Sequence, residues 1–345
     1  MFTTIAKMLS SRKNRSMKPA ARSFRPSVES LDARELPSAA SGALHAVAPT
    51  PGITRDADYF YIDRATGLLH EGQLTLNGGA GTPTGIQTLS AGHDALGRPD
   101  VFVKAGDNSF WEFQEGKWTR LRGSNVVKTY AAVDGGRAYA VLFDNTLQEF
   151  DGHNWTQVPG SLLSTSVDAV TDKAGDDHVF AMALDGDFWQ YDEIIAGSPQ
   201  FLANEINIGN SKTRIVDYSV GLSAWGSAEV YASFQTLFGP KNLYENAHGS
   251  ANGWQFVMNG SGYKSFSATD NGAAWIAAPS GAVYEVDQFG HPGNLLGTFA
   301  AASYVSAASS TDVYFVAADH TISEWLFDPS IKAWTENVHI GSSRN

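Results

Sequence analysis

Arg137-Ala138-Tyr139-Ala140-Val141-Leu142-Phe143-Asp144-Asn145-Thr146-Leu147-Gln148-Glu149-Phe150-Asp151-Gly152-His153-Asn154-Trp155 contains two short apolar runs on either side of the pair Asp144-Asn145. Asp and Asn tolerate positive φ and hydrogen-bond their own backbone two residues on, so the pair suits a tight turn and the flanking runs suit two hairpin strands. Outward from this stretch, Glu149 falls in a column of acidic or amide residues: Glu71, Glu112, Glu149, Gln190, Glu245, Glu285 and Glu324, spaced 41, 37, 41, 55, 40 and 39 apart. Ten residues before six of them stands an aromatic side chain, namely Tyr61, Phe102, Tyr139, Phe180, Trp275 and Tyr314. In the fifth unit Tyr231 stands fourteen before Glu245, as if four residues were inserted. The residue two before the column is always apolar (Leu69, Phe110, Leu147, Phe188, Leu243, Val283, Ile322). A turn-like pair precedes that residue, from Thr66-Gly67 and Asp107-Asn108 through Asp185-Gly186, Pro240-Lys241 and Ser280-Gly281 to Asp319-His320.

Two further segments complete each unit. One follows and often carries Trp, as in Lys117-Trp118-Thr119, Asn154-Trp155-Thr156, Gly253-Trp254-Gln255 and Ala333-Trp334-Thr335. The other precedes it, as in Leu89-Ser90-Ala91, Val167-Asp168-Ala169, Ser267-Ala268 and Val305-Ser306-Ala307. Four short strands in a repeat of roughly 40 residues predict a β-propeller blade. The strands read as nearly continuous apolar runs because neighbouring blades cover both faces. Neither end supplies the polar capping repeat that an open solenoid needs, so the expectation is an all-β, closed ring of seven blades, each with four antiparallel strands. Six complete blades with an adapted edge is the alternative, because Gln73 to Gly85 is Gly- and Thr-rich. No 3.6-residue apolar period is sustained between 57 and 340, which predicts an absence of helix.

The chain lacks Cys, which excludes disulfides, Cys-ligated metal centres and a thiol nucleophile. No apolar run approaches the roughly 18 to 20 residues that span a bilayer as a helix. Residues 1–35 carry eight basic and three acidic side chains, leaving the rest of the chain at −17 out of a total of −12. So acidic a body repels phosphate backbones, which argues against nucleic acid as a partner. The expected organisation is a disordered basic arm over 1–43 and one propeller domain over 44–341. The arm lacks the apolar core of a secretory signal. Its stretch Phe24-Arg25-Pro26-Ser27-Val28-Glu29-Ser30-Leu31-Asp32-Ala33-Arg34-Glu35-Leu36-Pro37-Ser38-Ala39 resembles the N-terminal segment of many exported or surface proteins of planctomycete bacteria. That resemblance implies export to an extracellular or cell-surface location; the other reading is a basic tail with no address.

The repeated acid has two readings. A strand carboxylate that accepts hydrogen bonds from the next blade would be needed at every unit, and Glu71, Glu112, Gln190, Glu245, Glu285 and Glu324 suit that structural role. A carboxylate beside an indole also suits sugars, whose hydroxyls donate to acidic oxygens while a pyranose face stacks on Trp. Arg137 through Trp155 is similar to the repeat of fucose-binding propeller lectins, in which an Arg, a Glu twelve residues later and a following Trp recur. The resemblance implies a sugar site built from Arg137, Glu149, Trp155 and Trp189 of the next unit. The other six units have Tyr59, Asp100, His178, Glu229, Ala273 and Asp312 at the Arg position. Trp155-Thr156-Gln157-Val158-Pro159-Gly160-Ser161-Leu162 resembles the tectonin-type repeat, which implies the same lectin-like class.

Catalysis finds little footing in the sequence. The nine His residues form no metal-binding pattern, so no metal or other cofactor is expected. Gly221-Leu222-Ser223-Ala224-Trp225-Gly226 misses the nucleophile elbow by one residue, and the carboxylates of Asp172 to Asp177 and of Asp185-Gly186-Asp187 read as solvated turns rather than calcium loops. The expected function is therefore non-catalytic binding of a glycan. A scaffold that binds a cell-surface protein is the alternative, and a propeller enzyme a more remote one. Limited proteolysis is expected to remove the arm and leave one resistant core; a core that splits at a blade boundary would contradict the closed ring.

Overall fold

A computed structural model describes residues 44–47, 58–63, 66–71, 74–193, 201–206, 213–236, 241–247, 253–287, 292–298, 302, 304–309, 312–317, 321–328, 331 and 333–342. The N-terminal segment with its motif, and the turn residues Pro240, Asp319 and His320, lie outside them. Among the described residues the chain forms seven four-stranded antiparallel sheets, each from four consecutive strands. Blade 1 is β1 (Leu44–Val47), β2 (Asp58–Asp63), β3 (Leu68–Glu71) and β4 (Leu74–Thr75); blade 2 is β5 (Thr88–His93), β6 (Pro99–Lys104), β7 (Phe110–Gln114) and β8 (Lys117–Arg122). Blade 3 is β9 (Val127–Val133), β10 (Arg137–Leu142), β11 (Leu147–Phe150) and β12 (Trp155–Gln157); blade 4 is β13 (Ser164–Thr171), β14 (Asp177–Ala183), β15 (Phe188–Glu193) and β16 (Phe201–Ile206). Blade 5 is β17 (Thr213–Leu222), β18 (Ala228–Thr236), β19 (Lys241–Ala247) and β20 (Trp254–Asn259); blade 6 is β21 (Ser265–Ala268), β22 (Ala274–Ala277), β23 (Ala282–Val286) and β24 (Pro292–Thr298). Blade 7 is β25 (Tyr304–Ser309), β26 (Asp312–Val316), β27 (Thr321–Asp328) and β28 (Ala333–Ser342). One turn of 3₁₀ helix, Gly260–Gly262, is the helix among the described residues.

The first strands of successive blades touch one another around the ring, and β25 touches β1, so seven blades close without an adapted edge. Second strands are buried along nearly their whole length, whereas outer strands such as β8 and β12 are largely exposed. The column aromatics fill the core: Phe102, Tyr139, Phe180, Tyr231, Trp275 and Tyr314 are fully buried. Each pairs directly across its hairpin with the repeated acid or amide, from Phe102 with Glu112 to Tyr314 with Glu324. The inserted residues of the fifth unit lengthen its hairpin and leave Tyr231 opposite Glu245.

Blade 1 departs from the spacing expected of it. Phe60, not Tyr61, pairs with Glu71, because this hairpin carries one residue more between aromatic and acid. A slip of one residue flips every side chain to the other face, so Phe60 enters the core while Tyr61 stacks on His70 with ring centroids 4.9 Å apart.

Opposite the column aromatic, on the innermost strand, stand Ser90, Ala131, Asp168, Ser219, Ser267 and Ser306 in blades 2 to 7. Ser90, Asp168, Ser219 and Ser267 join one blade to the next. Ala132 N donates to Ser90 Oγ (2.9 Å), Val220 N to Asp168 Oδ2 (3.1 Å), Ala268 N to Ser219 Oγ (3.0 Å) and Ala307 N to Ser267 Oγ (3.2 Å). Each donor is the residue just after the next blade's own member of the series. Adjacent innermost strands share no backbone ladder, so these side chains satisfy N–H groups that would otherwise be stranded between blades. Tyr130 and Tyr218 add phenol bonds to the carbonyls of Phe102 (3.3 Å) and Phe180 (3.4 Å) in the preceding blade. Ser219→Ala is expected to lower the unfolding free energy by about 1 to 3 kcal/mol in urea titration, the cost of orphaning a buried N–H. Thr156→Ala on exposed β12 is expected to change it little; equal losses would remove the joint from the account of stability.

Candidate functional site

Arg137 begins β10, and strand alternation puts it on the same face as Tyr139, whose cross-strand partner is Glu149. That face looks onto blade 4, where Asp177 begins β14 and Glu193 ends β15. The guanidinium bridges the cleft. Its Nη2 donates to Asp177 Oδ1 (3.0 Å), its Nη1 to Glu193 Oε2 (3.2 Å) and its Nε to the Asp134 carbonyl (3.2 Å). Tyr139 donates its hydroxyl to Asp177 Oδ2 (2.7 Å), Thr171 donates to Asp177 Oδ1 (2.7 Å), and the Asp177 N–H donates to Glu193 Oε2 (3.1 Å). Both acids are fully buried, while the Arg137 side chain keeps 13 % of its surface in solvent. This cluster sits at the junction where Ala131 offers no side-chain oxygen to the next blade.

Burial sets the electrostatics of the cleft. It lifts Asp177 to about 6, with Arg137 and the hydrogen bonds from Thr171 and Tyr139 opposing the rise. It lifts Glu149 to about 7, where the attraction of Arg137 is set against the nearby charges of Glu193 and Asp177.

The structure brings Arg137 and Glu149 to one cleft but separates Trp155 from them. Trp155 pairs with Phe150, which faces the other way from Glu149, so its ring packs between blades 2 and 3. There it lies 5.2 Å from Phe150 and 5.9 Å from Phe110 between centroids, with the Arg122 guanidinium 4.8 Å over its face. A one-residue alternation thus corrects the expected triad. Trp189 shares the face of β15 that carries Tyr191 and Glu193, and it packs in the cluster that includes Tyr139 and Val141.

The other clefts differ in kind. Asp100 occupies the Arg137 position between blades 2 and 3, and Gly136 and Gly152 stand where the next cleft has Asp177 and Glu193. Asp100 is fully buried beside the carboxyl of Glu112; burial first and then repulsion from Glu112 lift it to about 8, while burial raises Glu112 and its interaction with Asp100 opposes that rise. Glu229 and Glu245, both buried without donors, are lifted by burial to about 7 and about 8. His178 stands between Asp192 (2.7 Å) and Asp172 (3.4 Å), whose bonds outweigh burial and raise it. Gln190 donates to Asp192 (2.6 Å), and Tyr314 donates to Glu324 (2.6 Å). Glu71 and Glu285 are half-buried. The column therefore has no single role, and the bonds between innermost strands come from the Ser and Asp series instead.

Asp177 and Glu193 were not legible as partners of Arg137. Asp177 closes a run of acids that reads as a solvated turn, and Asp172 does cap that turn through its bonds to Ala174 and Asp176 N–H (2.8 and 3.0 Å). Asp177 itself is the first residue of a strand and buried. The available signal was that only the fourth unit has acids both thirteen before and three after its column residue, facing the only Arg of the series. Among the described residues no group of three or more His, Asp or Glu side chains is placed to hold a metal ion.

No family model matches the chain, and no curated protein matches it. Among solved structures it is similar to the BP39L lectin from Burkholderia pseudomallei, with a TM-score of 0.63 and 12 % identity over 88 % of this chain and 99 % of that one. A mutant Aleuria aurantia lectin in complex with Fucα1-6GlcNAc gives a TM-score of 0.47 at 14 % identity over 89 % of this chain and 97 % of that one. YCF48 from Cyanidioschyzon merolae gives 0.48 at 16 % identity over 81 % and 98 %. The first of these likenesses shows the fold, a lectin-like seven-bladed β-propeller.

Carboxyls whose folded pKa is raised hold protons that the unfolded chain releases at lower pH. Their contribution to stability is full below the ordinary carboxylate range and is lost as pH rises through about 6 to 8. The melting temperature is therefore expected to fall between pH 5 and pH 9, and Glu245→Gln to flatten that slope. A melting temperature that climbs over this interval would contradict the protonated state of the clefts.

Proposed function

We propose that this chain is a non-catalytic carbohydrate-binding propeller, exported by the cell that makes it, with the cleft between blades 3 and 4 as its sugar site. The observation that supports this most is the state of Arg137. Three of its five N–H groups are used, by Asp134, Asp177 and Glu193, so the fixed fork keeps two donors and an exposed edge. Glu149 adds a carboxyl on the same wall, while Trp189 lies four residues along β15 from Glu193, toward the other end of the cleft. A donor fork beside a carboxyl acceptor matches the hydroxyls of a pyranose. Export is supported by the resemblance of residues 24–39 to a planctomycete N-terminal segment.

The clamp decides which variants are informative. Arg137→Ala strips the cation from two buried carboxylates, a change that costs about 3 to 5 kcal/mol in comparable buried pairs, so it confounds binding with folding. Arg137→Lys keeps a charge in the slot and removes the planar fork. A glycan array followed by calorimetry is expected to find a sugar that Arg137→Lys and Glu149→Gln each bind at least about tenfold more weakly, a loss of about 1.4 kcal/mol. Glu112→Gln, in the neighbouring cleft, is expected to bind as the wild type does. If no sugar binds at millimolar concentration, the carbohydrate reading is wrong.

A further inference from the structure

The turn between the second and third strands has the same backbone bond in blades 2, 3, 4 and 6, where Ala105, Leu142, Ala183 and Ala278 N–H donate to Ser109, Thr146, Asp187 and Ala282 carbonyls. The residue after the donor is therefore equivalent in all four: Gly106, Phe143, Leu184 and Pro279. At this solvent-facing corner a large side chain has no packing role. Yet Phe143 and Leu184 stand 52 % and 57 % exposed in adjacent blades. Between them runs the connection from β12 to β13, with Leu162 and Leu163 at 41 % and 50 %. Backbone bonds fasten the three pieces together: Ser164 N donates to the Asn145 carbonyl and Leu184 N to that of Leu163, each at 2.7 Å. The four apolar side chains thus share one end of blades 3 and 4.

Among the described residues the other exposed large apolar side chains lie apart from this group. Leu96 and Trp225 lie in turns at the opposite end of their blades, and Leu74, Leu202 and Phe256 lie on outer strands. Single exposed apolar residues are ordinary, whereas a contiguous group rimmed by charge marks an interaction surface. The rim here is mainly acidic, with Lys128 also at it, its ammonium donating to Asn145 Oδ1 at 3.3 Å in the blade 3 turn. Asp144, Asp185 and Asp187 are exposed in the same two turns, and the bonds from Thr146 to Asp144 keep that carboxyl below its usual range and charged.

We infer that Phe143, Leu162, Leu163 and Leu184 form a docking surface for a cationic amphipathic peptide segment, whose aliphatic side chains cover the patch while its Lys or Arg side chains meet the aspartates. Charge chooses this occupant. A second copy would bring an equally acidic rim from a body at −17 beyond residue 35, and an anionic lipid surface would be repelled in the same way. The surface is independent of the sugar site, which opens at the end of the cleft where β10 begins.

The test is fluorescence anisotropy of the full chain with a short labelled peptide alternating Lys and Leu, at roughly 0.15 M salt. Leu163→Ser combined with Leu184→Ser is expected to weaken binding at least about tenfold with an unchanged melting temperature. Asp144→Asn combined with Asp185→Asn keeps the turn bonds and is expected to weaken it about threefold to fivefold, a difference that disappears at high salt. Unchanged affinity in the Ser pair would overturn the assignment of the surface. Equal binding of a Glu and Leu peptide would overturn its preference for cations. A dimer seen by ultracentrifugation and dissociated by Leu184→Ser would give the surface to a second copy and overturn the proposal too.

Discussion

Everything in this ring depends on one constraint: the innermost strands of adjacent blades lie side by side without a backbone ladder, and their buried N–H groups still need acceptors. A buried peptide donor without a partner costs about 1 to 3 kcal/mol, and a ring of seven blades meets the problem at every junction. The chain answers it with side-chain oxygens placed opposite the core aromatic, at Ser90, Asp168, Ser219 and Ser267. Because each acceptor reaches the residue just past the next blade's own member of the series, the bonds fix relative height as well as contact. Ser and Asp are short, so the blades must approach closely. At Gly221 on β17 a Cβ would lie 2.2 Å from the Thr269 carbonyl oxygen, and only the absence of a side chain allows the strands to meet there.

The junction between blades 3 and 4 shows what happens when that device is missing. Ala131 has no oxygen to offer, and the bonds across this cleft come from Arg137 and Tyr139, which reach Asp177 and Glu193, and from the Asp134 N–H, which donates to Thr171 Oγ1 at 3.0 Å. An ion pair with buried acids contributes less than its Coulomb energy suggests, since desolvation opposes it, but it is intolerant of losing one member. Structure and candidate function are therefore fused at Arg137. Residues that resemble a sugar site are also those that hold two blades together, and Arg137→Lys separates the roles better than truncation does.

Much of the fold was legible because a propeller repeats its physics. Turn residues, core aromatics and apolar strands recur about every 40 positions for reasons local to each hairpin, and repetition averages out the exceptions. Blade 1 escaped where repetition failed, since one extra residue in a hairpin turns Phe60 to the core shared with blade 2 and Tyr61 to the side of blade 7. The site was less legible because it is assembled across blades. Arg137 and Glu149 share a strand pair, so their spacing revealed their proximity. Asp177 and Glu193 lie 40 and 56 residues from Arg137, at distances set by the ring and not by any single unit. Trp155 was misplaced for the opposite reason: it follows Glu149 closely in sequence, but pairs with Phe150 and so faces the neighbouring cleft.

The unlike clefts bear on how any ligand would be held. Seven copies of one site on one ring gain from simultaneous engagement of a branched or surface-bound ligand, which raises apparent affinity without stronger contacts. Here the position that carries Arg137 in blade 3 is Asp100 in blade 2, His178 in blade 4, Glu229 in blade 5 and Ala273 in blade 6. Asp100 and Glu229 are buried carboxyls, and each converts its cleft from a donor fork into a group that favours protonation. A sugar that fits the fork of Arg137 meets no equivalent partner elsewhere around the ring. On the proposed reading, recognition rests on the chemistry of one cleft, or on a second surface of a different kind, and not on repetition of the blade.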